Sequence, residues 1–364
     1  MTGEPSVVIV GGGFAGVNAA KALDAYAQVV LVEPKDTFVY NVACLRALVE
    51  ADFAPRIFLP YDNLLARGYV EHDRAVEVGA RRVVLASGKV LAADYVVLAS
   101  GSRYAFPAKT DRDHSSDALT DFRMTRDRLE RTTRVLLIGA GGVGIELAGE
   151  IKAAFPRTHV ILLDAADDLF AGQFRADLRA ELRAQLAELG VELVLGEPLR
   201  ALPATAATEL GTFTVTTEAG RDITADMWFR CFGVAPVSDY LDAGLASARD
   251  QNGFVRVTPT LLVDGFDTVF AIGDVSTADA KMAGRAGRQG HVVAENIRKL
   301  SAGDRALSRY EPLEPAIIIP IGPTMGSGQL PNQQDLASRE LVSAVKGRDL
   351  MVKRYAEILG VSAT

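Results

Sequence analysis

The sequence predicts an α/β protein in which two parallel sheets, each covered by helices, are followed by a small C-terminal α+β domain. The chain has 364 residues, and at roughly 100–200 residues per domain this length suggests two or three domains. Two separate segments, 7–33 and 134–164, repeat the order strand, glycine-rich turn, helix and strand. Their strands are runs of consecutive apolar residues, a pattern typical of parallel strands buried on both faces.

The first βαβ unit starts with the apolar strand 7–10 and passes through a glycine-rich turn into a helix. The turn consists of Gly11, Gly12, Gly13, Phe14, Ala15 and Gly16. A second apolar strand, 29–32, leads to Glu33. Glycines let the backbone turn tightly and approach a pyrophosphate at the helix N-terminus, and the acid accepts hydrogen bonds from a ribose. We therefore expect a Rossmann-like dinucleotide site formed by the turn and Glu33.

The second βαβ unit repeats this design further along the chain. Its turn contains Gly139, Gly141 and Gly144, and Asp164 ends its second strand. The interval from the third glycine to the acid is slightly longer than in the first unit, but the acid again lies at the end of the second strand. A lone Gly-x-Gly-x-x-Gly is a weak signal, but two copies in full strand and helix context predict two dinucleotide sites. A flavin beside a nicotinamide is the chemically sensible pair, because hydride can pass directly between them.

The nicotinamide cofactor is expected to be NADH, with NADPH less favoured. Asp164 is followed by Ala165 and Ala166, so these positions supply no positive charge for the 2′-phosphate of NADPH.

Two further strands end in residues that suit a flavin site. One strand, 94–99, runs into Ser100 and Gly101. Another, 269–272, ends in Gly273 and Asp274, and a helix starts near Met282 and Ala283. Asp274 is predicted to bind the ribityl hydroxyls of FAD, while the positive end of the helix stabilises the reduced flavin. An alternative interpretation makes Asp274 the N-cap of a helix.

Three more elements follow from local patterns. Apolar residues at spacings of three and four predict an amphipathic helix over 173–189. Segments 212–217 and 226–232 flank a turn and are expected to pair as antiparallel strands. A helix is expected near 335–344 in the C-terminal part.

Composition excludes several classes of function. The net charge is −7, which argues against a general nucleic-acid binder because such proteins present a basic face. The sequence has no continuous apolar run of about 18 residues and no basic leader, so neither a spanning helix nor a signal peptide is expected. Thr2 stands where N-myristoylation requires glycine. We expect a cytoplasmic protein with at most peripheral membrane contact. The four histidines and two cysteines lack metal-ligand spacing, so no metal is expected.

The chain resembles the two-dinucleotide-domain flavoprotein superfamily, and within it the ferroptosis suppressor proteins, also called the mitochondrion-associated apoptosis-inducing-factor-like family. The resemblance covers nearly the whole chain. The more specific stretches are 41–50 and 346–350, and the glycine motifs, Gly144-x-Glu146, 271–274 and 281–283 are also similar.

This resemblance implies an FAD domain (1–120 and 234–300) interrupted by an NAD(P)H domain (121–233), with a C-terminal domain over 301–364. It implies electron transfer from NAD(P)H through FAD to a small acceptor, a quinone. Carried over by position, FAD contacts fall on Gly11, Gly13, Ala15, Arg46, Val70 and Asp274. Glu146 and Lys346 are placed where flavin and nicotinamide meet, as the catalytic residues.

The sequence leaves three rival functions open. Cys44 follows Glu33 at a short interval, near the position of the redox cysteine in NADH peroxidases, where it would cycle through a sulfenic acid. The neighbours of Cys44 favour the quinone-reductase family instead. A ferredoxin-type reductase and an NADH-sensing flavoprotein of low turnover also stay open, as does the oligomeric state.

Overall fold

The computed structural model describes residues 4–361, so Thr2 lies outside the described residues. The strands are β1 Ser6–Val10, β2 Gln28–Val32, β3 Thr37–Val39, β4 Phe58–Pro60, β5 Tyr69–Glu71, β6 Ala75–Gly79, β7 Arg82–Leu85, β8 Val90–Ala92, β9 Tyr95–Leu98, β10 Ser102–Arg103, β11 Arg134–Ile138, β12 His159–Asp164, β13 Glu192–Leu195, β14 Phe213–Thr216, β15 Asp222–Ala225, β16 Met227–Arg230, β17 Ala235–Pro236, β18 Val269–Ala271, β19 Ile317–Ile321 and β20 Met325–Gln329. The α-helices are α1 Phe14–Leu23, α2 Cys44–Val49, α3 Ser115–Leu129, α4 Gly142–Ala154, α5 Ala176–Glu188, α6 Ala243–Ala246, α7 Ala283–Ser301, α8 Arg339–Val342 and α9 Val352–Ile358. Short 3₁₀ turns lie at Asn41–Ala43, Ala54–Ile57, Leu169–Gly172 and Gly273–Val275.

The first parallel sheet has the strand order β18-β9-β1-β2-β5. Four of its strands precede the second glycine-rich unit in the sequence. The fifth strand, β18, pairs with β9 and follows all strands of the second sheet in the sequence. Helix α7, which follows β18, packs against α1. The chain therefore returns to its first sheet, as expected for a domain that is interrupted by another.

The second parallel sheet has the order β13-β12-β11-β16. The expected antiparallel pairing of 212–217 with 226–232 is wrong: β14 pairs antiparallel with β15, and β16 lies parallel to β11. The physical reason is that Met227–Phe229 is buried residue after residue, which requires a strand covered on both faces.

The C-terminal part is an antiparallel hairpin, β19-β20, with short helices. The helix expected near 335–344 is shorter than predicted. It is α8, Arg339–Val342, which Ser338 caps, and a π-helical turn, Ser343–Gly347, follows it directly. The helix expected over 173–189 is α5.

The α/β fold class, with two Rossmann-like units and a C-terminal α+β part, is confirmed. The predicted domain boundary between 120 and 121 falls inside α3, and the exact domain limits stay a prediction. Within residues 4–361, no helix combines the length and apolar character needed to cross a membrane.

Candidate functional site

The two glycine-rich turns have the same geometry. Gly11 and Gly139 have φ angles of +109° and +114°, and a Cβ at either would lie 2.5 Å from a carbonyl oxygen of the strand alongside. Only glycine tolerates both conditions. A Cβ at Gly13 or Gly141 would instead meet no described atom within 4 Å. The protein leaves that space open, which is what the approach of a pyrophosphate requires.

The acids at the ends of the second strands face these turns. Glu33 Oε2 accepts a hydrogen bond from the Gly12 amide at 2.6 Å. Asp164 Oδ2 accepts one from the Ala140 amide, also at 2.6 Å. Each carboxylate keeps lone pairs for ribose hydroxyls, so both loops fit the adenosine halves of dinucleotides. Gly16 and Gly144 lie inside α1 and α4, in close contact with the turns.

A cavity of about 1300 Å³ joins the first glycine turn to the C-terminal part. This exceeds the range of about 300–1,000 Å³ for a single small ligand. The second glycine turn reaches the cavity through Gly142, at the start of α4. Predicted site residues that line it are Gly11, Gly12, Gly13, Phe14, Ala15, Glu33, Ser100, Gly101, Glu146, Gly273, Asp274, Met282, Ala283 and Lys346. The cavity therefore brings together residues from both glycine-rich units and from the C-terminal part.

Asp274 lies on the cavity wall as part of a hydrogen-bonded cluster. Its Oδ2 accepts from Ser102 Oγ at 2.7 Å and from Lys109 Nζ at 3.2 Å. The N-cap interpretation of Asp274 is wrong, because Met282 occupies the N-cap position of α7. The N-terminus of α7 faces the same cavity, and no residue of its first turn is acidic. Together with the open space at Gly13, these features fit FAD.

Glu146 and Lys346 meet across the cavity although they are 200 residues apart in the sequence. Lys346 Nζ donates to Glu146 Oε1 at 2.8 Å and to the Ile318 carbonyl at 3.2 Å. Both side chains are mostly buried, with 13% and 17% exposure for Glu146 and Lys346. Burial raises the pKa of the Glu146 carboxyl, while the charges of Lys346 and Arg46 act against that rise.

Two residues that the resemblance assigns to FAD lie outside the cavity lining. Val70 is in β5, paired with Leu31. Arg46 is 2% exposed, and its guanidinium is directed at Glu150 and the Gly347 carbonyl. A buried guanidinium requires a charged partner, and Glu150 supplies it.

Cys44 faces the protein interior and not the cavity. It is fully buried, and burial raises the pKa of its thiol to about 12. Because the thiolate is the form that reacts with peroxide, this environment opposes the redox role that the sequence leaves open.

Sequence reasoning missed Lys109 and Tyr355, which also line the cavity, and it included Lys281 only in the stretch 281–283 that carries the resemblance, without a role. Burial lowers the pKa of Lys281, which lies over the Phe254 ring at 4.6 Å. Lys109 and Tyr355 are isolated residues without a local pattern, so nothing at those two positions pointed to the site.

The family described as pyridine nucleotide-disulphide oxidoreductase matches residues 5–290. Ferroptosis suppressor protein 1 of Taeniopygia guttata is 31% identical over 99% of this chain and 97% of its own. Apoptosis-inducing factor homolog A of Dictyostelium discoideum is 26% identical over 96% of this chain and 90% of its own. The solved sulfide:quinone oxidoreductase of Aquifex aeolicus shares the fold, with a TM-score of 0.76 at 15% identity, covering 98% and 92% of the two chains.

Proposed function

The chain belongs to the pyridine nucleotide-disulphide oxidoreductase family, and on this premise we propose that it is an FAD-dependent NADH oxidoreductase whose electron acceptor is a quinone. The FAD site comprises the first glycine turn, Glu33, Asp274 and the N-terminus of α7. The NADH site comprises the second glycine turn and Asp164. FAD, when bound, supplies the chemistry that accepts hydride from the nicotinamide and passes electrons on.

The observation that carries this proposal is the Glu146–Lys346 ion pair in the shared cavity. Glu146 is in the first two turns of α4, directly after the second glycine turn, so it lies where a nicotinamide would extend from that turn. The first glycine turn and Asp274 line the same cavity. A cation and an anion are thereby held where two dinucleotides would meet.

The chain's own groups have distinct tasks in this scheme. Lys346 offers a fixed ammonium to negative charge that develops in a site shielded from water, where such stabilisation is strongest. Glu146 orients Lys346 and accepts a hydrogen bond from the nicotinamide carboxamide. Correct placement of reacting groups lowers the barrier, and small displacements are costly.

The acceptor is proposed to be a quinone because the cavity wall near Lys346 is apolar. Ile317, Ile318, Ile319 and Val345 line that part. An apolar ring and tail are favoured by such a surface.

Anaerobic steady-state oxidation of NADH with a panel of acceptors tests the proposal. The panel contains a short-chain quinone, ferricyanide, hydrogen peroxide and a ferredoxin. We expect rapid turnover with the quinone. A single stoichiometric reduction of the flavin without turnover identifies a sensor, and turnover only with peroxide or ferredoxin rejects the quinone.

A further inference from the structure

Arg46 joins three separate parts of the chain through one buried guanidinium. It lies in α2, and its Nε and Nη2 atoms donate to the two carboxylate oxygens of Glu150 at 2.5 and 2.8 Å. Nη2 also donates to the Gly347 carbonyl at 3.0 Å. Glu50, the residue directly after α2, lies 3.4 Å from Nε. We refer to Arg46, Glu150 and the Gly347 carbonyl as the Arg46 bridge.

The two partners of Arg46 are neighbours of the catalytic ion pair. Glu150 follows Glu146 one turn later on α4, so the two acids lie on the same face of that helix. Gly347 is adjacent to Lys346 in the π-helical turn. A Cβ at Gly347 would lie 2.5 Å from the Pro323 carbonyl oxygen, so this turn is also packed tightly against the β19-β20 hairpin. The bridge thus ties together the backbone segments that carry Glu146 and Lys346.

We propose that Arg46 is a positioning residue, which holds α4 and the π-helical turn in register so that Lys346 stays paired with Glu146 in the cavity. This inference rests on the proposed function and extends it to a residue outside the cavity lining. Arginine suits the task because its planar fork binds a carboxylate with two parallel hydrogen bonds and still reaches a carbonyl. Lysine would offer a point charge without this geometry.

The main test replaces both charged partners, in the variant Arg46→Met/Glu150→Met. Removing one partner would leave an unpaired buried charge and destabilise the protein strongly, whereas replacing both with apolar side chains of similar size is often tolerated. The double variant can therefore show an effect of the bridge on the position of Lys346 without a large loss of protein stability. We expect a similar melting temperature and FAD content, but flavin reduction by NADH at least tenfold slower at saturating NADH, with the dissociation constant of NADH nearly unchanged.

A second measurement needs no catalysis. Acetic anhydride labels lysines according to their exposure and hydrogen bonding, and mass spectrometry reports the rate at each site. In the double variant we expect Lys346 to be labelled at least fivefold faster, relative to the exposed Lys353 in the same sample. A general loss of stability would raise the labelling rates of many lysines and would not raise that of Lys346 alone.

The matched control is Arg339→Met/Glu188→Met. This ion pair also links the C-terminal part to a helix of the second unit, at 2.9 Å between Nη2 and Oε2, but it touches neither Glu146 nor Lys346. We expect its labelling pattern and rates to stay at wild-type levels. If the Arg46/Glu150 variant fails to fold, the variant Arg46→Lys is used in its place. Lysine keeps the positive charge next to Glu150 and loses only the two parallel hydrogen bonds of the planar guanidinium.

Wild-type labelling of Lys346, or wild-type flavin reduction, in a folded bridge variant would overturn the proposal. Failure of the wild-type protein to bind FAD or to oxidise NADH would instead overturn the proposed function. The labelling experiment tests the bridge in either case.

Discussion

Glu146 and Cys44 are both buried titratable groups, but only Glu146 is in direct contact with a cation. The pKa of each group is raised by burial. Glu146 accepts a hydrogen bond from Lys346 and lies near Arg46, and both charges favour the carboxylate. The Cys44 thiol feels the Lys109 charge only at a distance, so burial prevails, its pKa rises to about 12 and it stays protonated at neutral pH. The contact with Lys346 therefore opposes the effect of burial at Glu146, whereas the Cys44 thiol has no such contact and is unreactive.

The Glu146–Lys346 pair yields the first residue-scale prediction. Lys346→Ala and Glu146→Ala should each lower NADH-to-quinone turnover at least tenfold, which corresponds to about 1.4 kcal/mol in the barrier. FAD content should change little. Because both side chains line the cavity and are partly exposed, the melting temperature should fall less than in a variant that leaves Arg46 or Glu150 unpaired. Since the two residues act together, the double variant should cost less than the sum of the single ones.

Stopped-flow flavin reduction by NADH is the measurement, with Lys353→Ala as the control, an exposed lysine of the same C-terminal part. Wild-type rates of flavin reduction in both single variants would contradict the proposal that this pair belongs to the active site.

Cys44 yields the second residue-scale prediction. Cys44→Ala should retain most quinone-dependent NADH oxidation, and its packing cost should be about 1 kcal/mol, the typical value for a point substitution. Cys44→Ser keeps a hydrogen-bond donor at the place where the Cys44 thiol lies 3.8 Å from Asn41 Oδ1, and this variant should also stay active. A hundredfold loss of activity in both variants with FAD still bound would favour a redox cysteine.

At the scale of elements, the two βαβ units have the same kind of turn, and we propose that one turn binds FAD and the other NADH. Both turns combine a glycine in the left-handed region, an open position two residues later and an acid that accepts from a turn amide. This repetition permits reciprocal experiments in which one turn serves as the control for the other.

Gly13→Leu should give colourless protein, whereas Gly141→Leu should keep FAD and lose NADH binding. Neither side chain meets another described atom near its Cβ, and the φ values of −79° and −83° are ordinary for any residue. The leucine itself should therefore introduce no clash or backbone strain into the folded protein in either variant. Flavin absorbance of the purified variants and NADH titration measure the two outcomes, and full flavin occupancy in Gly13→Leu would contradict the assignment.

Asp164, the last residue of β12, is the basis of a predicted preference for NADH over NADPH. Asp164 would lie about 4 Å from a 2′-phosphate, where like charges at an effective dielectric near 20 repel by about 4 kcal/mol. Solvent and salt reduce this repulsion, so kcat/KM for NADH should exceed that for NADPH roughly 10- to 100-fold. Asp164→Asn keeps a side-chain oxygen for the Ala140 amide but removes the charge, and it should narrow the ratio. Equal kcat/KM values in the wild-type protein would reject this explanation.

At the scale of the whole molecule, the proposed FAD site is assembled from distant parts of the chain. The first glycine turn follows β1, whereas Asp274 and the N-terminus of α7 follow β18. FAD bound there would contact both, so ligand binding would be linked to folding of the complete first sheet.

Removal of FAD should therefore lower the melting temperature. The cofactor is expected to be non-covalent, so mild acid or a chaotropic salt should release it. At a hundredfold excess over its dissociation constant, a ligand adds about 2.7 kcal/mol of stability. Differential scanning calorimetry of the apoprotein, and of the apoprotein with FAD added back, measures the change. Equal melting temperatures would contradict binding at this junction.

The local sequence of this protein is sufficient to predict both βαβ units, their glycine turns and the acids Glu33 and Asp164. Those features depend on residues close to one another in the chain, and the apolar runs and glycines encode them directly. The prediction for segment 226–232 is wrong because an apolar strand next to a turn can pair in either direction. The burial of β16 on both faces, which only the tertiary structure shows, explains why this strand belongs to the parallel sheet.

Tertiary structure alone decided how the chemical groups are combined. The resemblance placed Glu146 and Lys346 near the flavin, but their 2.8 Å contact depends on how the C-terminal part packs on α4. The pairing of Arg46 with Glu150 across 104 residues and the inward direction of Cys44 depend on packing in the same way. Side-chain contacts between distant segments are set by the packing of complete elements, and no local spacing in the sequence encodes them.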